Sequence, residues 1–122
     1  MKLLTKELRA KLIANGREQA KVKGAKAEKD FWPVVKFFYP ASAATWLITE
    51  ADPDDPDILF GLCDLGCGCP ELGSVRLSEL EGFHARSGLR VERDRFFTAK
   101  AAISRYADAA STAGYITEQV TP

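Results

Sequence analysis

Between Val34 and Leu77 the chain reads as four short β-type runs cut apart by proline- and aspartate-rich turns, and this pattern leaves few folds open. VVKFFY (34 to 39) and TWLITE (45 to 50) are rich in the β-branched and aromatic side chains that suit a pleated surface. Alternation puts Val35, Phe37 and Tyr39 on one face of the first run, and Trp46 and Ile48 on one face of the second. Pro40–Ala44 supplies one connection. ADPDDPD (51 to 57) supplies the next, since Asp-Pro pairs favour turns and proline cannot donate to a central ladder. ILFGLCDL (58 to 65) and SVRL (74 to 77) give two more strands. The expected class is α+β, with an antiparallel meander of about four strands covered by an N-terminal and a C-terminal helix.

The helices are read from caps and periodicity. Residues 5 to 15 form a helix with Thr5 as N-cap, Glu7 in the first turn where the helix dipole favours an anion, and Gly16 just past the end. Leu4, Leu8 and Leu12 make its buried stripe. Residues 17 to 30 hold a single strong hydrophobe, Val22, and read as a solvated loop or a frayed extension of the helix. Ser78 and Glu81 have the spacing of a capping box that opens a short helix. Residues 89 to 97 fit either a short edge strand or a loop. Residues 99 to 113 form the second long helix, capped by Thr98, ended near Gly114, with Ala99, Ile103, Tyr106 and Ala110 on one stripe. The expected domain spans residues 1 to 116, and residues 117 to 122 read as a mobile tail.

A chain of 122 residues, 46% hydrophobic and 28% charged, suits one globular domain that folds without metal or disulfide staples. Its three cysteines, Cys63, Cys67 and Cys69, are odd in number and crowded, which fits a reducing compartment. Leu3 and Leu4 are followed at once by Lys6, Glu7 and Arg9, so the N-terminus does not read as a signal peptide. No apolar run approaches the roughly 20 residues that span a bilayer. The expected location is the cytoplasm. Net charge is zero, yet residues 1 to 36 carry +6 and residues 50 to 81 carry nine carboxylates against Arg76 alone. Such patches either steer a charged partner or meet each other, within the fold or across a self-association contact.

The chemistry-bearing residues are sparse. Cys63, Cys67 and Cys69 form C-x3-C-x-C, which is not a structural zinc spacing and would need His84 from far along the chain as fourth ligand. Cys63 instead reads as a small hydrophobe in a strand, and the other two as loop residues. Glu50, Asp64, Glu71, Glu79 and Glu81 are candidates to converge at one end of the sheet, where paired carboxylates divide acid and base roles in hydrolysis. Asp52, Asp54, Asp55 and Asp57 lack the glycine and terminal glutamate of a calcium loop. No phosphate-binding loop is present, and His84 alone builds no triad. Trp32, Phe37, Phe38, Tyr39 and Trp46 beside lysines would stack single-stranded bases if exposed, although strand spacing favours a core role. No cofactor is implied.

The motifs LLTKELRAKL, KFFYP, TWLITEAD, FGLCDLG, PELG, LSELE and LRVERDRFF, in that order over residues 3 to 97, resemble a family of short bacterial proteins of unknown function carried by plasmids, phages and conjugative elements. In that family the positions of Cys67 and Cys69 are usually not cysteine. The resemblance implies no catalytic role for any residue, but it implies a context, because accessory genes of mobile DNA often act on host defence or on the element's own replication and transfer. The leading expectation is a non-enzymatic binding protein, an inhibitor of a host nucleic-acid defence complex of the CRISPR or restriction type. Its contact surface would be acidic, formed by Glu50, Asp52, Asp54, Asp55, Asp57, Asp64, Glu71, Glu79 and Glu81. The expected partner is a host protein or nucleoprotein complex, with no membrane, direct nucleic-acid binding not favoured, and a homodimer left open. The rivals are a small hydrolase with Asp64, Glu71 and Glu79 in one cleft, and a nucleic-acid accessory factor using Lys21, Lys23, Lys26 and Lys29 with Trp32.

Overall fold

The computed structural model describes residues 2–25, 28–84 and 86–122. The element order is α1 (Lys6–Val22), β1 (Val35–Phe38), β2 (Thr45–Ala51), β3 (Ile58–Asp64), β4 (Glu71–Arg76), α2 (Leu77–Gly82), β5 (Glu92–Arg93) and α3 (Ile103–Ala113). The strands form one antiparallel sheet in the order β4-β3-β2-β1-β5. The α+β class and the meander are as the sequence predicts. The fifth strand resolves the ambiguity over residues 89 to 97, since Glu92 and Arg93 pair with Phe38 and Phe37 at the edge.

Both faces of the sheet are covered. On one, Val35, Phe37, Trp46, Ile48 and Leu59 pack with Leu3 and Leu12 of the N-terminal region and with Leu77 and Leu80 of α2. On the other, Leu47 and Leu62 pair across the strands and pack under Ala101, Ile103, Tyr106 and Ala110. β2, the middle strand, is therefore buried almost throughout, as a strand sandwiched between two layers should be. Val120 packs against the second cluster, and Glu118 accepts a hydrogen bond from Lys36 Nζ at 2.6 Å.

Helix α1 does not stop at Gly16. It continues to Val22, and Gly16 lies mid-helix, where an added Cβ would sit 1.7 Å from the Ala51 carbonyl oxygen. Glycine is required there because helix backbone rests directly on strand backbone. The strand is shaped to receive it. Pairing between β2 and β3 shifts register between Ile48 and Glu50, a bulge at Thr49, and Asn15 Nδ2 donates to the Thr49 carbonyl at 2.9 Å. One turn on, Gln19 donates to the Lys29 carbonyl and accepts from the Lys29 amide, both at 2.8 Å, and so ties down the return of the chain towards β1. The expected C-cap at Gly16 fails because the buried face past Leu12 is polar and small, namely Asn15, Gly16 and Gln19. The Thr5 cap is as expected, its hydroxyl accepting from the Leu8 amide at 3.1 Å.

The other two helices depart from the capping expected of them. Helix α2 begins at Leu77, so Ser78 is inside it, and a distant carboxylate does the capping: Asp57 accepts from the Ser78 amide at 2.9 Å and its hydroxyl at 2.7 Å. Glu81 turns away from a capping box and accepts from the Leu3 amide at 3.1 Å. Helix α3 starts at Ile103, not beside Thr98. Asp30 caps it from across the molecule through the Ser104 amide at 3.1 Å and the Ser104 hydroxyl. Gly114, at φ 84°, ends α3 as predicted.

Gly16→Ala should cost about 3 kcal/mol, the upper end of overpacking penalties, because neither backbone can yield without moving the helix. Gly82→Ala, with nothing within 4 Å of an added Cβ, should stay within about 0.5 kcal/mol of wild type. Urea denaturation of the two variants measures the contrast.

Candidate functional site

The contact between α1 and the bulged end of β2 leaves a cleft of about 330 Å³ beside it, at the lower limit for small-ligand pockets. Gln19 and Lys23 of α1 form one wall, Glu50 and Phe60 of the sheet the floor, and Asp52 and Asp54 of the following turn the other wall. Glu28 closes the rim. Four carboxylates thus face one base.

The turn is rigid by its own bonding. Asp52 accepts from the Asp54 amide at 2.8 Å and the Asp55 amide at 3.4 Å, while the Asp52 amide donates to the Ile58 carbonyl at 2.9 Å and the Ile58 amide to the Asp55 carbonyl at 2.9 Å. Arg76 Nη1 reaches Asp55 at 3.2 Å and Asp57 at 3.5 Å. Its guanidinium, facing both carboxylates, is held charged more firmly than usual. Asp57 is held below its ordinary 3.8, first by the Ser78 hydroxyl and then by Arg76.

Glu50 moves the other way. Burial in the cleft pushes it above its ordinary 4.5, against the opposing pull of the Thr49 hydroxyl, the Gln19 amide and the charge of Lys23. Thr49 Oγ1 lies 3.2 Å from Glu50 Oε1. Among the described residues no cation lies within ion-pair distance of Glu50.

The nine acidic residues read from the sequence do not form one surface. Glu50, Asp52 and Asp54 line the cleft, and Asp55 and Asp57 continue the turn. Glu79 is exposed on α2, close in sequence to the Asp57 contact. Asp64 must be removed from the set. It is 1% exposed and accepts from the Gly66 amide at 2.8 Å and the Ile116 amide at 3.0 Å, a buried strut for the loop after β3. Convergence of Glu50, Asp64, Glu71, Glu79 and Glu81 also fails. Glu50 lies opposite Phe60 and Glu71 opposite Cys63, about 10 Å further along β3, while Glu79 follows the far end of β4. The cleft expected to join Asp64, Glu71 and Glu79 does not form.

The basic and aromatic candidates are dispersed as well. Lys29 pairs with Glu18 at 3.8 Å, Lys21 and Lys23 are exposed near the end of α1, and Lys26 lies outside the described residues. Phe37 and Trp46 are core, Tyr39 packs edge-on to Phe83 at 5.1 Å between ring centroids, and Trp32 is 52% exposed. No aromatic platform is assembled from them. Cys63 is half-buried and Cys67 and Cys69 are exposed. Among the described residues no three His, Cys, Asp or Glu side chains gather closely enough to hold a metal ion. No described helix is long and apolar enough to cross a membrane.

Gln19 and Glu28 are not singled out by the sequence, and Lys23 is read there only as a base for nucleic acid; a helix ending at Gly16 would leave Gln19 in a solvated loop instead of on the cleft wall. The available signal was the i, i+4 pair Asn15 and Gln19 around a glycine, a polar stripe continuing the helix.

Fold and cleft together define a small α+β domain with an acidic, turn-built groove at one end of an antiparallel sheet. The chain belongs to a family described as protein of unknown function (DUF2958), whose model matches residues 3–117. No curated protein and no solved structure matches it.

Opposite shifts at Glu50 and Asp57 give opposite pH dependence. Glu50, raised when folded, favours the fold at acid pH and loses that contribution as pH climbs from 4.5 through its raised value; Asp57, depressed, stabilises above 3.8 and loses its contribution as pH falls through its lower value. Glu50→Gln should therefore gain stability over wild type as pH rises towards neutrality. Asp57→Asn should lose stability at neutral pH, with the deficit closing below 3.8. Denaturant titrations across acid and neutral pH give both curves.

Proposed function

We propose that this protein is a non-enzymatic, protein-binding accessory factor of a mobile genetic element, acting in the cytoplasm through the acidic turn and cleft. The observation that carries the reading is the display of Asp52 and Asp54 on a self-braced turn, beside a cleft floored by Glu50 of β2. Among the described residues, no lysine or arginine of residues 1 to 36 pairs with any carboxylate of residues 50 to 81; Arg76 supplies both ion pairs found there. Of the bases in that segment, Lys29 pairs with Glu18 and Lys36 with Asp94 and Glu118, while Lys23 lines the cleft without reaching ion-pair distance of Glu50.

A fixed array of carboxylates suits a basic surface that normally holds nucleic acid, because it offers the negative charge of a phosphate backbone at low conformational cost. The mobile-element context is supported by the ordered motifs from LLTKELRAKL to LRVERDRFF. It points to a host defence complex of the CRISPR or restriction type as the target.

The decisive experiment is capture from a host lysate at low salt with identification of bound protein and nucleic acid, followed by binding kinetics with the captured partner. The reversal Asp54→Lys leaves the Asp57 cap intact and should slow association about threefold while flattening its salt dependence. Unchanged kinetics, or capture of nucleic acid alone, removes the acidic turn from the function.

A further inference from the structure

The loop between β3 and β4 holds chemistry that the acidic turn does not use. We propose that Cys67 and Cys69 are a redox-active dithiol, oxidised by low-molecular-weight disulfides to a Cys67–Cys69 disulfide within the loop, while Cys63 remains a thiol.

The geometry rests on the two glycines that flank and separate the pair. Gly66 and Gly68 take φ of 84° and 87°, a left-handed conformation that ordinary residues avoid, and the chain bends through residues 66 to 68. Two residues apart, fully extended Cα atoms lie at most about 7 Å from each other. A bend shortens that span into the roughly 4.4 to 6.8 Å window that a disulfide accepts. Both thiols are exposed, and nothing lies within 4 Å of an added Cβ at Gly68, so the tip has space to close. Its base is anchored, because buried Asp64 holds the Gly66 amide. Closure therefore stays local to the tip.

Cys63 supplies the internal contrast. It is half-buried in β3, and burial, with the nearby Glu71 charge, pushes its thiol up, so little thiolate forms. It sits in the strand four residues before Cys67, with its side chain packed against the core.

The reaction balances with an oxidised glutathione-type disulfide as oxidant. One loop thiolate attacks a sulfur of the reagent, its S–S bond breaks, and the first small thiol leaves. The second loop thiolate then attacks the protein sulfur of the mixed disulfide and releases the second small thiol. Two protons pass from the loop thiols to the two leaving thiols, the loop is oxidised by two electrons and the reagent reduced by two. A disulfide closed across a single residue is strained, which places it among the readily reversed class.

The test treats the full-length protein with oxidised glutathione at mildly alkaline pH and follows intact mass, free-thiol count and peptide mapping. Wild type should lose two hydrogens and two titratable thiols, with a Cys67–Cys69 link in the map and Cys63 still free. Cys67→Ser and Cys69→Ser should each stop at a persistent glutathione adduct, at least tenfold longer-lived than the wild-type intermediate, and Cys63→Ser should behave as wild type. A wild-type product that ends with two glutathione adducts, links two chains, engages Cys63 or does not react overturns the assignment. All four proteins are compared only at matching circular dichroism, so a folding defect is detected separately.

Discussion

The close approach of α1 to β2 is the contact on which the remaining architecture depends. Gly16 lets helix backbone touch the Ala51 carbonyl, and Asn15 takes up the carbonyl at the Thr49 bulge. These two residues fix where the helix lies, its depth and its register along the sheet. From that position Leu12 reaches the core shared with Phe37 and Ile48, and Gln19 reaches back to Lys29 to direct the chain into β1. The cleft is a by-product of the same geometry. A helix seated on a bulge leaves a gap beyond it, and the turn after β2 furnishes the opposite wall.

Strand positions were legible because a half-buried or fully buried strand announces itself by β-branched and aromatic content, and turns by proline and aspartate. Trp46, Ile48, Leu47 and Leu62 lie where alternation puts them, on two faces of one sheet. What the sequence did not disclose were contacts between residues far apart in the chain. Gly16 has the identity of a helix stop and the location of a packing contact, and only the strand beneath it decides between them. Ser78 and Thr98 have the identity of N-caps, yet Asp57 and Asp30 perform that work from 21 and 74 residues away. Local chemistry names the residues able to cap; tertiary structure selects among them.

The acidic candidates show the same division. A run of carboxylates is one feature in sequence and three in space. Asp64 is an internal strut, Asp57 and Glu81 brace a helix and the N-terminus, and Glu50, Asp52 and Asp54 are left facing the cleft. Burial separates these roles more sharply than charge does, since Asp64 and Asp54 are the same side chain in opposite environments.

Remote capping also bears on how the chain reaches its native state. Helix α3 is only 11 residues long, shorter than the roughly 12 to 15 at which an isolated helix becomes even marginal in water. Its first turn is completed by Asp30, so the C-terminal segment has little reason to become helical during synthesis until the earlier chain is already in place. The Asp30 cap and the bond from the Ile103 amide to the Phe31 carbonyl thus tie the α3 terminus to the approach to β1, and loosening one loosens the other.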